Sequence, residues 1–427
     1  MKTKINFILK EVLREIEPSN EEISIIGDSL KKFLKRINTE IKRLKIDAET
    51  FIGGSFAKNT MIKKGKYDID VFLRFNKKYS DKEISKFSKE ILKKFQKIEL
   101  VHGSRDYFRV KINDFSYIEL IPVIKVKNSR EFRNITDLSY SHVKYVNKKL
   151  KSKKILDEVR LAKAFCYAHH CYGAESHIQG FSGYGLELLI AYYKSFLKFI
   201  KEIIKMRNKE VIDIEKKYKN KQEVLMNLNS SKLNSPIILI DPTCKQRNAL
   251  AALSQETFER FQKECKHFLK NPRREKFEIE KIDFNQIKES SEKKGQEFIL
   301  IEAKTKKPEG DIAGSKLLKF YKNLLPEIER FFDIKKKGFD YKKGKTAKYF
   351  FVVKRKKEII LEGPEVIDKK NSKAFKKAHK DYFVKKGKIY ARKKIDFNIE
   401  EFIEKFKDKN KKKIKEMYIE KLTILKD

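Results

Sequence analysis

The sequence has few of the features that mark membrane or secreted proteins. It contains four cysteines in 427 residues and no Cys-x-x-Cys pair, so neither a zinc site nor a disulfide framework is indicated. No apolar run reaches the ~18 residues that a membrane-spanning helix needs. The N-terminal residues lack the apolar region and cleavage site of a signal peptide, and no internal repeat is visible. We therefore expect a cytoplasmic protein without a membrane partner.

Acidic residues are heavily outnumbered by basic ones. The chain has 60 Asp+Glu against 102 Lys+Arg, so its formal charge is 102 − 60 = +42, and its pI is near 9.8. Such a surplus is typical of proteins that bind nucleic acids, and it predicts binding that weakens with salt. Much of the surplus is lysine, however. A lysine-rich proteome would produce it without any nucleic-acid role, and this alternative stays open.

The length and the order of the apolar patterns predict an α+β protein of about two to four domains. Two amphipathic helices, over 4–16 and 20–45, begin the chain, and Ser19 with Glu22 forms a capping-box pattern at the second. A mixed sheet with flanking helices then predicts a palm-like catalytic domain over 1–140. A helical domain follows over 141–272, and a basic α+β region over 273–427. We expect turns at 335–338 and 342–345, and surface or RNA-facing loops in the lysine runs at 334–348 and 408–415.

Residues 53–75 are the most informative stretch. A Gly54-Ser55 turn opens a short polar segment, and a strand-like run follows that carries Asp68 and Asp70. Because residues i and i+2 of a strand project from the same face, both carboxylates point one way and Ile69 points the other way, into a core. Two acids on one face repel each other unless a divalent cation lies between them. Oxygen ligands of this kind suit Mg²⁺, usually shared with substrate phosphates.

A third carboxylate, Glu119, lies in the middle of an otherwise apolar run over 117–123. One interpretation is an edge strand with Glu119 in water, and Pro122 suits such a position. The other places Glu119 beside Asp68 and Asp70 on the neighbouring strand, where it completes a three-acid, two-metal cage. In such a cage one ion activates the attacking 3′-hydroxyl, and the other holds the triphosphate and the leaving pyrophosphate. We favour the second interpretation.

The Gly-Ser turn followed by Asp-x-Asp resembles the DNA polymerase β-like nucleotidyltransferase superfamily. A closer resemblance, to the archaeal class I CCA-adding enzymes, extends from residue 53 to about 270. After residue 275 only the loose basic α+β character is shared. Besides the stretch at 53–75, the sequence blocks that carry this resemblance are 159–163, 171–175, 180–189, 240–242 and 247–254.

The resemblance implies a template-independent polymerase that adds or repairs CCA at tRNA 3′ ends, using CTP, ATP and Mg²⁺. It assigns metal binding and catalysis to Asp68, Asp70 and Glu119. It assigns the nucleotide to a set of residues in the turn, the helical domain and the 240–254 segment: Gly54, Ser55, Lys58, His142, Lys163, Tyr172 and Arg247. A hydroxyl and amides of a Gly-Ser turn can cradle phosphate oxygens. The arginine's five fixed donors suit reading the edges of C and A.

Several of these assignments have plainer alternatives. Lys163 on an amphipathic helix can be a solvated side chain, and Tyr172 before a glycine can simply adjoin a helix end. Lys58 stands where the family often has arginine, so it keeps the charge and loses the planar fork.

The third acid departs from the family pattern. Glu119 stands where the family usually has aspartate, and it adds roughly 1.5 Å of reach to a geometry normally held to about 0.5 Å. A slowed or metal-altered enzyme, or an impaired tRNA-binding relative, therefore stays open. So does a poly(A) polymerase-like or oligoadenylate synthetase-like enzyme, although the 180–189 and 241–254 blocks argue against it. The oligomeric state, a homodimer included, also stays open.

Overall fold

The computed structural model describes residues 2–102, 105–207, 209–280 and 282–425. The chain divides into two compact units, Met1–Glu280 and Lys281–Asp427. The predicted domain boundaries near residues 140 and 272 are a finer division, and they stay predictions. No helix among the described residues has the length and apolar character needed to cross a membrane.

The first part of the first unit is a five-stranded sheet with helices. Its strands run in the order β1-β2-β5-β4-β3, with β2 and β5 parallel and the other neighbours antiparallel. The predicted capping box of Ser19 and Glu22 is confirmed at the start of α2. The elements are α1 (Lys2–Ile16), α2 (Asn20–Arg43), β1 (Ala48–Ile52), α3 (Gly54–Ala57), β2 (Tyr67–Phe75), α4 (Asp81–Leu92), β3 (Ile98–Val101), β4 (Tyr107–Lys111) and β5 (Ser116–Ile124).

The first half of strand β2 alternates between buried and more exposed side chains, as its sequence predicts, and all its residues from Val71 onwards are buried. Ile69, Val71 and Leu73 are fully buried in a core that α2 and α4 also line, whereas Asp68 is exposed and Asp70 is half-buried. Burial of the apolar side chains fixes the register, because a slip by one residue would turn every side chain to the other face. The core therefore decides where the two carboxylates project.

The edge-strand interpretation of β5 is wrong. This strand lies between β2 and β4, near the middle of the sheet. The ladder to β4 covers Tyr117–Leu120 and stops before Pro122, so the missing N–H of the proline costs no hydrogen bond on that side. Glu119 consequently belongs to a strand that has a neighbouring strand on each side.

The rest of the first unit is mostly helical. Its core is formed by α6, α7, α8 and α11, and α1 contributes the side chains of Ile5, Ile8, Leu9 and Val12 to the same core. The first helix thus packs with the helical part, although the sequence places it in the catalytic domain. The elements are α5 (Ser139–Lys149), α6 (Lys153–Ala168), α7 (Gly183–Tyr193), α8 (Phe196–Lys205), β6 (Glu210–Ile212), α9 (Lys221–Asn227), α10 (Ser230–Leu233), β7 (Ile237–Asp241), β8 (Cys244–Asn248) and α11 (Gln255–Lys270).

The second unit contains two antiparallel sheets, ordered β10-β11-β9-β15 and β12-β14-β13. Helix α13 packs on the first sheet through Leu317, Phe320 and Leu324, all buried. The elements are α12 (Phe284–Glu292), β9 (Glu297–Thr305), α13 (Asp311–Glu329), β10 (Phe332–Tyr341), β11 (Thr346–Arg355), β12 (Glu358–Glu365), α14 (Lys369–Ala378), β13 (Tyr382–Lys385), β14 (Lys388–Lys394), α15 (Ile399–Lys409), α16 (Lys411–Glu416) and β15 (Ile419–Ile424).

Two predictions for the lysine runs are wrong. The predicted turn at 335–338 lies inside β10, an edge strand whose exposed lysines protect it from pairing with other chains, and Gly338 is needed because a Cβ there would overlap the Phe350 ring. The run at 408–415 ends α15 and forms α16, with Ile414 buried beneath the lysines. The turn at 342–345 is confirmed as the β10–β11 hairpin.

Candidate active site

The parallel ladder of β2 and β5 places Asp70 opposite Glu119, and Asp68 opposite Tyr117. Burial and the neighbouring charges of Glu119 and Asp68 together raise the pKa of Asp70 to about 7, while Lys58 opposes the rise. A raised pKa means that the ionised form of Asp70 is disfavoured. The two strands therefore gather negative charge at a place where a cation would relieve the repulsion.

Glu119 already has a cationic partner. Strand β4 places Arg109 directly opposite it, and the Arg109 Nη2 donates a hydrogen bond of 2.8 Å to the Glu119 Oε1. The Arg109 Nε is buried and has no hydrogen-bond partner among the described residues. The longer side chain found here in place of the family's aspartate thus reaches an arginine on the next strand.

This pairing bears on the predicted metal cage. Within the ranges that the structure describes, no three His, Cys, Asp or Glu side chains come together as a metal-binding group. Asp68 and Asp70 nonetheless fit a hard cation, since they supply only oxygen ligands, and burial together with the acidic neighbours raises the pKa of Asp70. To bind a metal ion, Glu119 would have to bind it and Arg109 at the same time, or give up its contact with Arg109. The three-acid cage stays a prediction.

The Gly-Ser turn lies against the acids. The Gly53 amide donates to the Asp70 carbonyl at 2.8 Å, and α3 begins at the next residue. Gly54 has φ +61°, and a Cβ at this position would overlap the Asp70 carboxylate. Glycine is required here by both backbone conformation and space. Ser55 follows directly, in the first turn of α3.

Two lysines that the resemblance assigns to phosphates converge on one buried carboxylate. The Lys58 Nζ lies 2.6 Å from the Glu187 Oε2, and the Lys163 Nζ lies 2.8 Å from the Glu187 Oε1. Thr60 donates to the same carboxylate at 3.0 Å and accepts from Lys163 at 2.7 Å. The Lys163 side chain is only 3% exposed. The interpretation of Lys163 as a solvated residue is therefore wrong.

Tyr172 lies beside this cluster. A Cβ on Gly183 would come within 2.9 Å of the Tyr172 hydroxyl and 4.0 Å of the Lys163 Cε, so the start of α7 packs against both side chains. The Lys64 ammonium lies 5.5 Å from the centre of the Tyr172 ring. Burial raises the pKa of Tyr172, and the charges of Glu187 and Asp70 add to the rise. Tyr172 is thus within electrostatic reach of Asp70.

A second buried carboxylate, Asp241, collects the remaining predicted residues. Its Oδ2 lies 3.0 Å from the His142 Nε2 and 2.8 Å from the Arg247 Nη1, and its Oδ1 accepts from the Tyr184 hydroxyl at 2.9 Å. The His142 ring stacks on Tyr184 with 4.1 Å between centroids. Burial lowers the pKa of His142, its contact with Asp241 opposes this, and Arg247 and Lys58 add to the fall. The neutral form of His142 is therefore favoured, and Arg247 carries the charge opposite Asp241.

A cavity of about 350 Å³ lies next to Arg247. Phe132, Ile135 and Cys244 line it, and the cations Arg130 and Lys232 contribute to its wall. Its volume falls in the range of roughly 300–1,000 Å³ that is usual for ligand pockets.

The structure places Gly54 against Asp70, which lies opposite Glu119. Lys58 and Lys163 gather around Glu187, and His142 and Arg247 gather around Asp241. Sequence reasoning gave these two acids no role, and it likewise missed Thr60, Tyr184 and Arg109. A signal was present for both acids. Glu187 stands alone among leucines in α7, and Asp241 ends the apolar strand β7, which is the pattern that singled out Glu119.

Two family models match successive parts of the first unit. A family model described as "tRNA nucleotidyltransferase, second domain" matches residues 157–278. A model described as "Second Messenger Oligonucleotide or Dinucleotide Synthetase domain" matches residues 1–149.

Curated relatives are named as CCA-adding enzymes. That of Nanoarchaeum equitans is 40% identical over 211 residues, which are 49% of this chain and 52% of the relative. That of Thermococcus gammatolerans is 32% identical over 62% of this chain and 59% of the relative. That of Methanocaldococcus jannaschii is 30% identical over 417 residues, which are 95% of this chain and 90% of the relative. The chain belongs to the CCA-adding enzyme family. Its matches span just over half of the first two relatives and nearly all of the third.

Solved structures support the fold. A cytoplasmic RNA terminal U-transferase matches 66% of this chain with a TM-score of 0.51 and 15% identity, and all of that chain is covered. The Cid1 poly(U) polymerase matches 65% of this chain and 99% of its own with a TM-score of 0.51 and 16% identity. The predicted α+β class with a polymerase β-like nucleotidyltransferase palm is confirmed, as is the resemblance to the CCA-adding family.

Proposed function

We propose that this protein adds or repairs the 3′-terminal CCA of tRNA in the cytoplasm, using CTP and ATP and releasing pyrophosphate. The observation that carries the proposal is the match to a CCA-adding enzyme along 95% of the chain. The acids on β2 and the buried lysines beside them support a nucleotidyl transfer.

Asp68 and Asp70 would hold Mg²⁺, with Glu119 as the third ligand once its carboxylate is shared with Arg109. Bound Mg²⁺ would supply activation of the tRNA 3′-hydroxyl and neutralisation of charge on the leaving pyrophosphate. The residues' own contribution is to fix oxygen ligands on two neighbouring strands whose register the core determines.

The triphosphate would lie against the Gly54-Ser55 turn and the ammonium groups of Lys58 and Lys163, with the Tyr172 hydroxyl beside them. Backbone amides at the start of α3 and two cations from different segments give donors from several directions. Because the lysines are buried, their attraction for phosphate is screened little by water.

The base would be read by Arg247. Asp241 accepts one N–H of the guanidinium, which fixes its orientation and leaves other donors for a base edge. His142 contacts the same oxygen of Asp241, so it would help to hold this carboxylate in place.

The RNA itself would be held by the basic surface, including the exposed lysines of β10 in the second unit. Contacts to phosphates set position and affinity without reading sequence.

The test is addition of single nucleotides to three tRNA substrates that end at the discriminator base, at C and at CC. We expect CTP to extend the first two and ATP to extend the third. The Asp70→Ala protein should add nothing while it still binds tRNA. Long A tails would indicate a poly(A) polymerase, and products from ATP without RNA would indicate an oligonucleotide synthetase. Binding of tRNA without any addition would indicate an impaired relative.

A further inference from the structure

Glu187 is a charged residue at the candidate site with an exposed fraction of 0%, as buried as Asp241. It lies in α7, where Leu186, Leu188 and Leu189 are also fully buried. Removing a carboxylate from water costs several kcal/mol, so it persists in such surroundings only with charged partners. Its partners are Lys58 and Lys163, together with the Thr60 hydroxyl.

These partners come from separate parts of the chain. Lys58 follows α3, next to the Gly-Ser turn, and Lys163 belongs to α6 in the helical part. Each lysine binds a different oxygen of the one carboxylate. The separation of the two ammonium groups is therefore set by the width of the Glu187 carboxylate. The hydrogen bond from Thr60 fixes the rotation of that carboxylate.

The charges in the cluster do not cancel. Two lysines against one glutamate leave 2 − 1 = +1 among these three side chains, and Lys58 also interacts with Asp70 of the predicted metal site. A buried surplus of positive charge attracts an anion strongly, because water screens it little. Glu187 thus lowers the cost of burying two cations without neutralising both.

We propose that Glu187 is a positioning residue of the nucleotide site, which holds the ammonium groups of Lys58 and Lys163 where the triphosphate binds. This inference rests on the proposed function, because that function gives the two lysines their phosphate contacts. Glu187 itself does not contact the substrate in this proposal.

The proposal has a pH signature. Burial, together with the charges of Lys58 and Lys64, lowers the pKa of Lys163 to about 8, and Glu187 opposes this fall. The other groups that face Lys163 are Thr60 and Tyr172. Without Glu187, the pKa of Lys163 should fall, so the lysine should lose its proton, and its hold on phosphate, at a lower pH than in the wild type.

The experiment compares the wild type with Glu187→Gln, measuring ATP binding by equilibrium dialysis and the KM values for ATP and for tRNA ending in CC, between pH 6 and 9. We expect the KM for ATP to rise about tenfold or more, since charge-assisted hydrogen bonds are lost at two lysines. The rise should be larger at high pH, and the KM for tRNA should not change. Glu187→Asp keeps the charge, so it should show a smaller rise and a pH profile like that of the wild type.

Glu40→Gln is the matched control. Glu40 also bridges two cations, Arg43 and Lys94, but it lies on α2 away from the site. Its loss should lower thermal stability without changing the KM for ATP. If Glu187→Gln behaves in the same way, Glu187 is only structural and the proposal is wrong.

A double-mutant cycle with Lys58→Met tests whether Glu187 affects ATP binding through Lys58. If Glu187 acts through the lysine, the two changes should be clearly non-additive in their effect on ATP binding. Additive effects would contradict the proposal. A wild type that binds ATP but extends no tRNA would contradict the proposed function instead, and dialysis would still test Glu187.

Discussion

Glu119 stands where the resemblance leads us to expect aspartate, and its pairing with Arg109 gives this difference a structural setting. A longer acid on β5 reaches an arginine that β4 places opposite it. The contact with Arg109 orients the Glu119 carboxylate on the strand next to Asp68 and Asp70.

If Glu119 takes part in metal binding, Glu119→Gln should lower kcat by about 10²-fold or more, because a charged ligand becomes a neutral one of the same shape. Glu119→Asp restores the family's usual residue, yet we expect it to lower activity, since the shorter side chain cannot keep its 2.8 Å contact with Arg109. Single-turnover addition of ATP to tRNA ending in CC measures both. Activity of Glu119→Gln within a few-fold of wild type would place Glu119 outside the reaction.

Arg247 is the residue that we expect to select the nucleotide. Its guanidinium donors can meet O2 and N3 of cytosine or N1 of adenine, but they oppose the N–H groups of guanine and uracil on that edge. Arg247→Ala should therefore slow CTP and ATP addition and reduce discrimination by about 1–3 kcal/mol. The measurement is single-turnover addition of each nucleotide, with the affinity for tRNA unchanged.

Arg274→Ala is the control for Arg247, since Arg274 forms an exposed ion pair with Glu15. It should leave selection intact. An Arg247→Ala enzyme that keeps the wild-type preference for ATP over GTP and UTP would show that another group reads the base.

At the scale of elements, the turn between β1 and α3 is the tightest constraint on the site. Gly54→Ala would place a methyl group on the Asp70 carboxylate in a left-handed backbone conformation. We expect a loss of both stability and activity. Gly27→Ala is the control, because Gly27 lies in α2 with open space around it, and there the change should stabilise by roughly 0.5–1 kcal/mol. Thermal unfolding measures both, and a Gly54→Ala protein as stable as Gly27→Ala would refute the close approach.

The elements that could be predicted from the sequence are those that pack against a core, because core packing requires a regular pattern of apolar residues. Strand β2, with its acids on one face, and helix α2, with its capping box, are of this kind. Strand β10 and helix α16 were missed because exposed lysines give strands, helices and loops the same composition. The pairing of Glu187 with Lys58 was also out of reach, since nothing local connects residues 129 positions apart. Within the site, the residues that would contact the substrate were predicted from the sequence, whereas Glu187 and Asp241, the acids that hold them, were not.

For the whole molecule, the charge of +42 has two explanations that differ in salt dependence. If the lysines contact tRNA phosphates, six to ten such contacts would weaken binding by about 10³–10⁵-fold between 50 and 200 mM salt. If the lysine surplus only reflects a lysine-rich proteome, the affinity for tRNA should change little with salt concentration. Titration of tRNA binding by filter retention at several salt concentrations decides between them.

The central claim is tested most directly by sequencing tRNA 3′ ends after a CCA-less tRNA has been incubated with the protein, Mg²⁺ and all four nucleotides. The account predicts ends that read C, C and A and then stop, and no extension by the Asp68→Ala protein. Homopolymer tails, or ends that stay unextended with the wild-type protein, would contradict it.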